Sequence, residues 1–423
     1  MKLISTRLIV VALLTWPLVP CIAQTLDEAD RAAMLERIAS TLADKAYDPA
    51  GKLKEWPKLM EEYKPKLDDA KDDATFIGLL REALASTKVS HLQILTPATM
   101  QYLVTQKLVG IGAYGDHVGG EIVVTELAPG SPADECGVEI GDTIMSVNDA
   151  RPTNAGLFAQ AGTTVGIQYR KPDGSIHRRR VRVRAFEYRP PNAFYAVTPR
   201  TAYIRVRSFM DGGYSTTWVR ETMKDAVKFE NIIVDLRDNG GGTLSYLADL
   251  CSYFLRPGTS LGLFITKKGL EMTEAQPYTP TAKSLSAFQD LAAIEKAGRL
   301  ELFSPKPAYG PFRGKLILMV NGNSGSAAEI AAGALVEAGR PLAVIGMPSA
   351  GVVLASKSEP IGKSYMLQYP AADYLTPLGI RLEANPVQPT HRVTGLEVAM
   401  ALQRGEMDPA IALALELFGD PGR

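Results

Sequence analysis

The chain has 423 residues, of which 46% are hydrophobic and 22% are charged, as in an ordinary globular protein with room for two or three domains. Lys+Arg and Asp+Glu are equal at 46 each, so the overall charge indicates neither a nucleic-acid partner nor an anionic membrane surface. The basic run 178–180 lies in an alternating stretch, which is typical of a solvated strand face.

The first residues predict an export signal. Lys2 and Arg7 form a basic region ahead of an apolar run over residues 8–19, which is too short to cross a bilayer. Small residues before position 24 predict cleavage after Ala23, and a lipoprotein anchored through Cys21 is the alternative. No later stretch predicts a membrane span. We therefore expect export, to a bacterial periplasm.

Cysteines and histidines give no indication of a metal site. Once the signal is removed, only Cys136 and Cys251 remain, and isolated cysteines without a spacing motif are more typical of buried apolar positions than of a disulfide. The four histidines form no ligand-spaced cluster. A zinc peptidase is therefore disfavoured, and we expect no metal and no other cofactor.

The mature chain divides into three regions of different periodicity. Residues 24–104 show helical spacing of apolar residues, and residues 105–187 are β-rich, with a strand over 121–127. From residue 188 to 423, apolar strands alternate with helices, which predicts an α/β core with a largely parallel sheet. Residues 268–312 are rich in proline and polar residues and predict a long excursion or lid outside the core. The predicted core strands lie at 202–206, 232–236, 316–320 and 342–346, and the predicted helices at 214–227, 244–255, 327–338 and 408–418.

Two strand-to-helix turns in the core carry the residues that point to chemistry. Segment 235–242 (Asp-Leu-Arg-Asp-Asn-Gly-Gly-Gly) follows one buried strand, and segment 321–329 (Asn-Gly-Asn-Ser-Gly-Ser-Ala-Ala-Glu) follows another. A hydroxyl at such a turn meets free N–H groups at the start of a helix, and a glycine turn beside it lets further N–H groups approach. This layout suits acyl transfer. The alternative is that Ser324 and Ser326 are an ordinary turn serine and helix N-cap.

The middle region resembles a PDZ domain. The resemblance rests on the Gly-Ile-Gly loop at 110–112, the Ser-Pro-Ala segment at 131–133 and the Gly-Asp-Thr-Ile segment at 141–144. It implies that a peptide adds a strand to the sheet edge while main-chain N–H groups hold its terminal carboxylate. A structural β-module with an unused groove is the alternative. The loop residues that would bind the peptide are Val109, Gly110, Ile111 and Gly112.

The order of the regions and the two turns resemble the tail-specific (C-terminal processing) and tricorn-core serine peptidases over essentially the whole mature chain. The resemblance implies a ClpP/crotonase-like α/β core after the helical and PDZ-like regions. It also implies that Ser326 is the nucleophile. The oxyanion hole would be formed by the N–H of Ala327 and that of Gly241 or Gly242.

The resemblance leaves the choice of general base to be decided. The tail-specific branch uses a lysine where this chain has Val352, and valine accepts no proton. The tricorn-like branch instead uses a Ser-His-Ser-Glu tetrad, whose positions fall on Ser90, His91 and Glu383 beside Ser326. His91 is therefore expected to be the general base and acid, oriented by Glu383 and Ser90.

These inferences predict an exported serine endopeptidase or C-terminal processing peptidase that acts on polypeptides through an acyl-enzyme. One alternative is a catalytically inactive peptide-binding protein of the same fold, which the missing lysine favours. A second alternative is another acyl hydrolase such as an esterase, although the chain has no Gly-x-Ser-x-Gly elbow.

Overall fold

The computed structural model describes residues 25–97, 99–100, 105, 107–153, 157, 159–188, 192–280 and 287–420, so the predicted export signal lies outside it. No helix within these residues is long and apolar enough to cross a bilayer.

A helical region comes first. Helix α1 is capped by Asp27, whose side chain accepts from the Asp30 N–H, and α3 is capped in the same way by Asp72. The buried faces of these helices share one hydrophobic cluster with Leu367 and Tyr369 of the core. Burial of this shared face attaches the helical region to the core. The elements are α1 (Glu28–Asp44), α2 (Trp56–Asp68), α3 (Asp73–Ser86) and the short strand β1 (Gln93–Leu95).

The PDZ-like module is an antiparallel five-stranded sheet in the order β3-β4-β5-β6-β7, with β2 and β8 paired separately. Its strands alternate, so that Ile122, Val124 and Ile144 face the module's own hydrophobic core. Strand β3 is an edge strand of this sheet. The elements are β2 (Lys107–Gly110), β3 (Ala113–Val118), β4 (Glu121–Leu127), α4 (Pro132–Glu135), β5 (Thr143–Val147), β6 (Thr164–Arg170), β7 (Ile176–Arg182) and β8 (Arg184–Glu187).

The core contains the predicted α/β sheet, in the order β19-β16-β15-β11-β10-β9, with every pair parallel except β9 with β10. Helices α5, α6 and α8 contribute to the cluster on one face and α10 to the cluster on the other. The predicted fold class is therefore confirmed. The strands are β9 (Ala193–Ala196), β10 (Thr201–Arg205), β11 (Asn231–Asp235), β12 (Ser260–Thr266), β13 (Gln276–Tyr278), β14 (Arg299–Phe303), β15 (Lys315–Val320), β16 (Ala343–Gly346), β17 (Ala355–Gly362), β18 (Tyr365–Leu375) and β19 (His391–Arg392). The helices are α5 (Thr216–Ala226), α6 (Leu244–Ser252), α7 (Ala287–Ala297), α8 (Ala327–Glu337), α9 (Gly395–Gln403) and α10 (Pro409–Phe418).

A second six-stranded sheet corrects one expectation. Strands β12, β13, β14, β17 and β18 form it together with β1. The prediction that residues 268–312 lie outside the core is wrong, because this segment supplies β13, α7 and β14. Ile294, Leu300 and Leu302 of the segment are buried in the main hydrophobic cluster. Proline and polar residues interrupt this apolar pattern in the sequence and obscure it.

Sheet topology brings the two turns singled out in the sequence together. Strands β11 and β15 are parallel neighbours, with Asp235 opposite Met319. Because carboxyl ends of adjacent parallel strands meet at one edge, the turns that follow them lie side by side. The Leu236 N–H donates to the Met319 carbonyl (2.9 Å) beyond the last strand pair, which extends the contact into the turns.

Candidate active site

Ser326 lies at the junction between β15 and α8, in an unusual backbone conformation. Its φ of 54° is in a region that non-glycine residues rarely adopt, and it is the N-cap of α8. The Ser326 N–H donates to the Val352 carbonyl (2.8 Å). Ser324, two residues earlier, is fully buried and donates through Oγ to the Leu236 carbonyl (2.8 Å). Ser324 therefore joins the two turns, whereas Ser326 is only half-buried at the start of the helix.

The glycine turn packs directly against Ser326. A Cβ atom on Gly241 would lie 2.6 Å from the Ser326 Cβ, so no larger residue fits there without a shift. Gly241 and Gly242 both have positive φ, of 95° and 140°. The Gly325 N–H donates to the Asn239 carbonyl (3.0 Å). Glycine is thus required here for both the backbone conformation and the close approach.

The N–H groups at this contact differ in availability. The Gly241 N–H donates to the Asn239 Oδ1 (2.9 Å), so in this structure it is taken. The N–H groups of Gly242 and Ala327 make no hydrogen bond within the described residues. Of the donors predicted for an oxyanion hole, these two are the ones left open to a ligand.

His91 lies between α3 and β1, where the chain has a φ of 56°. Its Nδ1 is 3.1 Å from the Ser90 Oγ. Burial lowers the pKa of His91 below its ordinary value, and the negative charge of Glu383 opposes that shift. A lowered pKa favours the neutral imidazole, which is the form that can accept a proton. The structure thus brings Ser90, His91 and Glu383 together.

Residues 352–353 connect this group to the serine turn. The Val352 carbonyl accepts from the Ser326 N–H, and the Val353 N–H donates to the Glu383 Oε2 (2.9 Å). The segment therefore links the serine to the carboxylate whose negative charge acts on His91. Lys357 and Lys363, the first two lysines that follow Val352 in the sequence, are engaged elsewhere, since Lys357 pairs with Glu295 (2.6 Å) and Lys363 with Asp30 (3.2 Å).

Glu329, the last residue of the serine turn segment, is a site residue whose role the sequence did not predict. Its carboxylate is fully buried and accepts from the Ser349 Oγ (2.5 Å), the Gly351 N–H (2.7 Å) and the Val352 N–H (2.8 Å). It also accepts from the Ser326 N–H (3.2 Å), which is shared with the Val352 carbonyl. The Ser-x-x-Glu spacing of a capping box could have indicated this role. Glu329 fixes segment 349–352 against the start of α8.

A buried ion network that the sequence did not reveal joins the PDZ-like module to both turns. Arg207 is 5% exposed and pairs with Glu126 of β4 and with Asp238 (2.9 Å) of the glycine turn. Asp238 in turn accepts from the side-chain amides of Asn321 (2.8 Å) and Asn323 (3.0 Å) in the serine turn. Removing one member of such a network would leave buried charge uncompensated.

A cavity of about 830 Å³ opens where the module meets the core. Gly240 and Asn323 line it from the two turns, and Gly115 and Asp116 line it from β3. The volume is in the range of known ligand sites. An extended peptide along the edge of β3 would therefore lie beside the turns.

The PDZ-like loop is only partly open to a ligand. Val109 and Gly110 belong to β2, which pairs with β8. The Ile111 N–H donates to the Leu157 carbonyl (3.0 Å), whereas the Gly112 N–H makes no hydrogen bond within the described residues. A Cβ on Gly112 would lie 2.2 Å from that of Ser131, so this position needs glycine. Of these four residues, Gly112 offers an N–H outside the strand pairing.

In the part of the chain that the structure describes, no group of three or more His, Cys, Asp or Glu side chains could hold a metal ion. Two of the remaining histidines, His177 and His391, make local contacts. His177 stacks on Tyr169 (5.2 Å between ring centroids), and His391 contacts Thr390 through Nδ1 (2.9 Å).

Comparison with known proteins identifies the relatives of the chain. Residues 200–393 match the model of Peptidase family S41, and residues 123–156 match that of the PDZ domain. The chain is similar to the carboxy-terminal processing protease CtpB of Bacillus subtilis, at 23% identity over 295 residues, which are 66% of this chain and 54% of the relative. It is also similar to carboxyl-terminal-processing peptidase 3, chloroplastic, of Arabidopsis thaliana, at 23% identity over 325 residues. These residues are 70% of this chain and 56% of that relative. The chain thus spans little more than half the length of these relatives.

Two solved structures share the fold. The photosystem II D1 C-terminal processing protease has a TM-score of 0.51 at 19% identity, covering 89% of this chain and 98% of its own. Mature CPAF complexed with lactacystin has a TM-score of 0.62 at 12% identity, and the match covers 93% of this chain and 100% of the CPAF chain. Together with the family matches, they confirm the resemblance to the C-terminal processing peptidases that the sequence indicated.

Proposed function

We propose that this chain, a relative of the C-terminal processing peptidases of family S41, is a serine peptidase that hydrolyses peptide bonds through an acyl-enzyme on Ser326. The observation that carries the proposal is the contact between Ser326 and the glycine turn. It combines a hydroxyl on a strained strand-to-helix turn with two N–H groups, of Gly242 and Ala327, that have no acceptor among the described residues.

In the proposed mechanism, the Ser326 Oγ attacks the peptide carbonyl carbon while His91 takes the hydroxyl proton. The oxyanion receives hydrogen bonds from Gly242 and Ala327, which lowers the barrier because these donors are already in place. Collapse of the intermediate breaks the C–N bond, and His91 returns its proton to the leaving amine. A water molecule then loses a proton to His91 and hydrolyses the ester, which restores Ser326.

Glu383 and Ser90 are proposed as the residues that orient His91. The contact between the Ser90 Oγ and the His91 Nδ1 engages that nitrogen, which leaves Nε2 for the reaction. Glu383 supplies the negative charge that favours the imidazolium formed during attack.

The PDZ-like module is proposed to capture an extended or C-terminal segment of a polypeptide. Support comes from the edge position of β3, the open Gly112 N–H and the cavity that reaches from β3 to the turns. Binding of labelled peptides that end in a carboxylate or in an amide, measured on the Ser326→Ala variant, tests this. Equal affinity for both peptides would contradict carboxylate capture.

A fluorophosphonate probe tests the enzyme. We expect labelling of the purified chain that is lost in Ser326→Ala and strongly reduced in His91→Ala, with unchanged melting temperatures. The second candidate, an inactive peptide-binding protein, is favoured by Val352 at the position of the family lysine. Folded protein that binds peptide and takes up no probe would support it instead.

Export to a bacterial periplasm, with cleavage after Ala23, is also proposed, on the basis of the basic start and apolar run of the sequence. Mass spectrometry of the N-terminus of protein recovered from the periplasmic fraction tests both statements. An uncleaved chain that stays in the cytoplasm would contradict them.

A further inference from the structure

The PDZ-like sheet has an outer face, opposite the module's own core, whose residues can be followed by strand register. Asp116 pairs with Val123, Val123 with Thr143, Thr143 with Arg170, and Arg170 with Ile176. Paired residues lie on the same face of a sheet, so this row crosses the outer face from β3 to β7.

The C-terminal part of the chain covers one end of this face. Helix α9 packs on β3 and β4, and the Gln403 side chain donates to the Thr143 Oγ1 (3.0 Å). Val123 is fully buried although it does not belong to the module's own core. The β3–β4 half of the outer face therefore has an intramolecular partner.

The β7 half is left open and is basic. Alternation along β7 places Ile176, Arg178, Arg180 and Arg182 on the outer face, because Val181 between them is buried in the core. All four are exposed, and Ile176 is 55% exposed. We call these four residues the β7 row.

The arginines of the β7 row are not held in ion pairs within the described part of the chain. Arg170 beside them pairs with Glu121 (2.7 Å), but Arg178, Arg180 and Arg182 form no ion pair with a described carboxylate. A cleft of about 310 Å³ lies between Arg178 and Arg180, above Gly166, which has no side chain to fill it. Asp149 is the acidic residue in its lining. The chain is neutral overall, so the charge here is a local concentration.

We propose that the β7 row is a docking surface for a bilayer that contains anionic phospholipids. Three unpaired guanidinium groups attract anionic headgroups, and the cleft between two of them can admit a phosphate. Ile176, at the end of the row beside the β6–β7 turn, is an exposed apolar side chain that can enter the interface. This apolar residue favours a membrane over a soluble polyanion, which would use the charges alone.

Vesicle co-sedimentation of the purified chain tests the docking surface. Vesicles of phosphatidylcholine alone are compared with vesicles that also contain phosphatidylglycerol. We expect binding only to the latter, weakened at high salt. Arg178→Gln/Arg180→Gln/Arg182→Gln should lower the affinity about a hundredfold, at about fivefold for each arginine. Ile176→Asn, made alone, should also weaken vesicle binding although it leaves the charge unchanged.

A matched control removes the same charge elsewhere. Lys54→Gln/Lys58→Gln/Lys71→Gln changes three exposed lysines of the helical region and should leave vesicle binding unchanged. The Ser326→Ala variant should bind vesicles like the parent, so this test is independent of the proposed catalysis.

Equal loss of binding in the two triple variants would overturn the proposal. So would vesicle binding that is insensitive to Ile176→Asn but abolished by soluble polyphosphate, since that would identify a polyanion site. Melting temperatures of all variants show that they remain folded.

Discussion

Gly241 and Ser326 are in contact so close that a single methyl group on the glycine would lie 2.6 Å from the serine Cβ. The two residues come from different turns at one edge of the parallel sheet. Their contact sets where the N–H groups of Gly242 and Ala327 lie relative to the serine.

Gly241→Ala is expected to lower kcat/KM at least about a hundredfold, because the glycine turn must move away and carry the Gly242 donor with it. Kinetics with a peptide ester or amide substrate measure this. Gly258→Ala is the matched control, since Gly258 has a similar φ of 80° but open space around its Cβ position. A similar loss of activity in both variants would show that backbone strain alone, and not the contact, is responsible.

Glu383→Gln should shift the acidic limb of the pH profile of kcat/KM to lower pH. Burial lowers the pKa of His91, and the Glu383 charge opposes that shift, so removing the charge lowers the pKa further. The maximal rate should fall at the same time, because the imidazolium formed during attack loses its partner. An acidic limb that moves upward or stays in place would argue against the His91–Glu383 pair. Glu416→Gln serves as the control, because it removes an exposed carboxylate of α10.

Glu329→Gln should destabilise the protein by about 2–4 kcal/mol, because an amide cannot accept from all the donors that the buried carboxylate satisfies. Denaturant unfolding measures the free energy. At the other end of the same helix, Glu337 accepts one exposed N–H, from Leu378 (2.9 Å), so Glu337→Gln should cost less than about 1 kcal/mol. Equal costs would mean that Glu329 does not hold segment 349–352.

Asp249→Asn should stabilise the protein above about pH 6 and have little effect near about pH 4. Burial raises the pKa of Asp249 from 3.8 to about 6, despite a hydrogen bond from the Tyr214 hydroxyl (2.8 Å). Between these values the folded protein binds more protons than the unfolded chain, so stability falls as pH rises. The asparagine has no such cost, and we expect a gain of about 1–3 kcal/mol.

Unfolding curves of the parent and the Asp249→Asn variant at the two pH values measure this difference. Asp68→Asn, at an exposed helix position, should change the unfolding free energy by less than about 0.5 kcal/mol at either pH. A stability difference between Asp249→Asn and its parent that does not depend on pH would contradict the raised pKa.

Local sequence patterns predict much of the fold. The strand Glu121–Leu127 and the core strands ending at Asp235 and Val320 follow from their apolar runs, and their turns follow from glycine and serine chemistry. The strands β17 and β18 were not predicted, and the buried role of residues 268–312 was missed. Both depend on which strands pair across the second sheet, which short-range periodicity does not specify.

The sequence by itself therefore determined the core strands and helices around the two turns, their order along the chain and the turn that presents Ser326, because each depends on neighbouring residues. The tertiary structure alone decided that the charge of Glu383 acts on His91, that Lys357 and Lys363 pair elsewhere and that the Gly241 N–H donates to Asn239. It also decided which face of β7 stays uncovered. These are contacts between distant segments, set by sheet register and packing, and no local pattern of residue types encodes them.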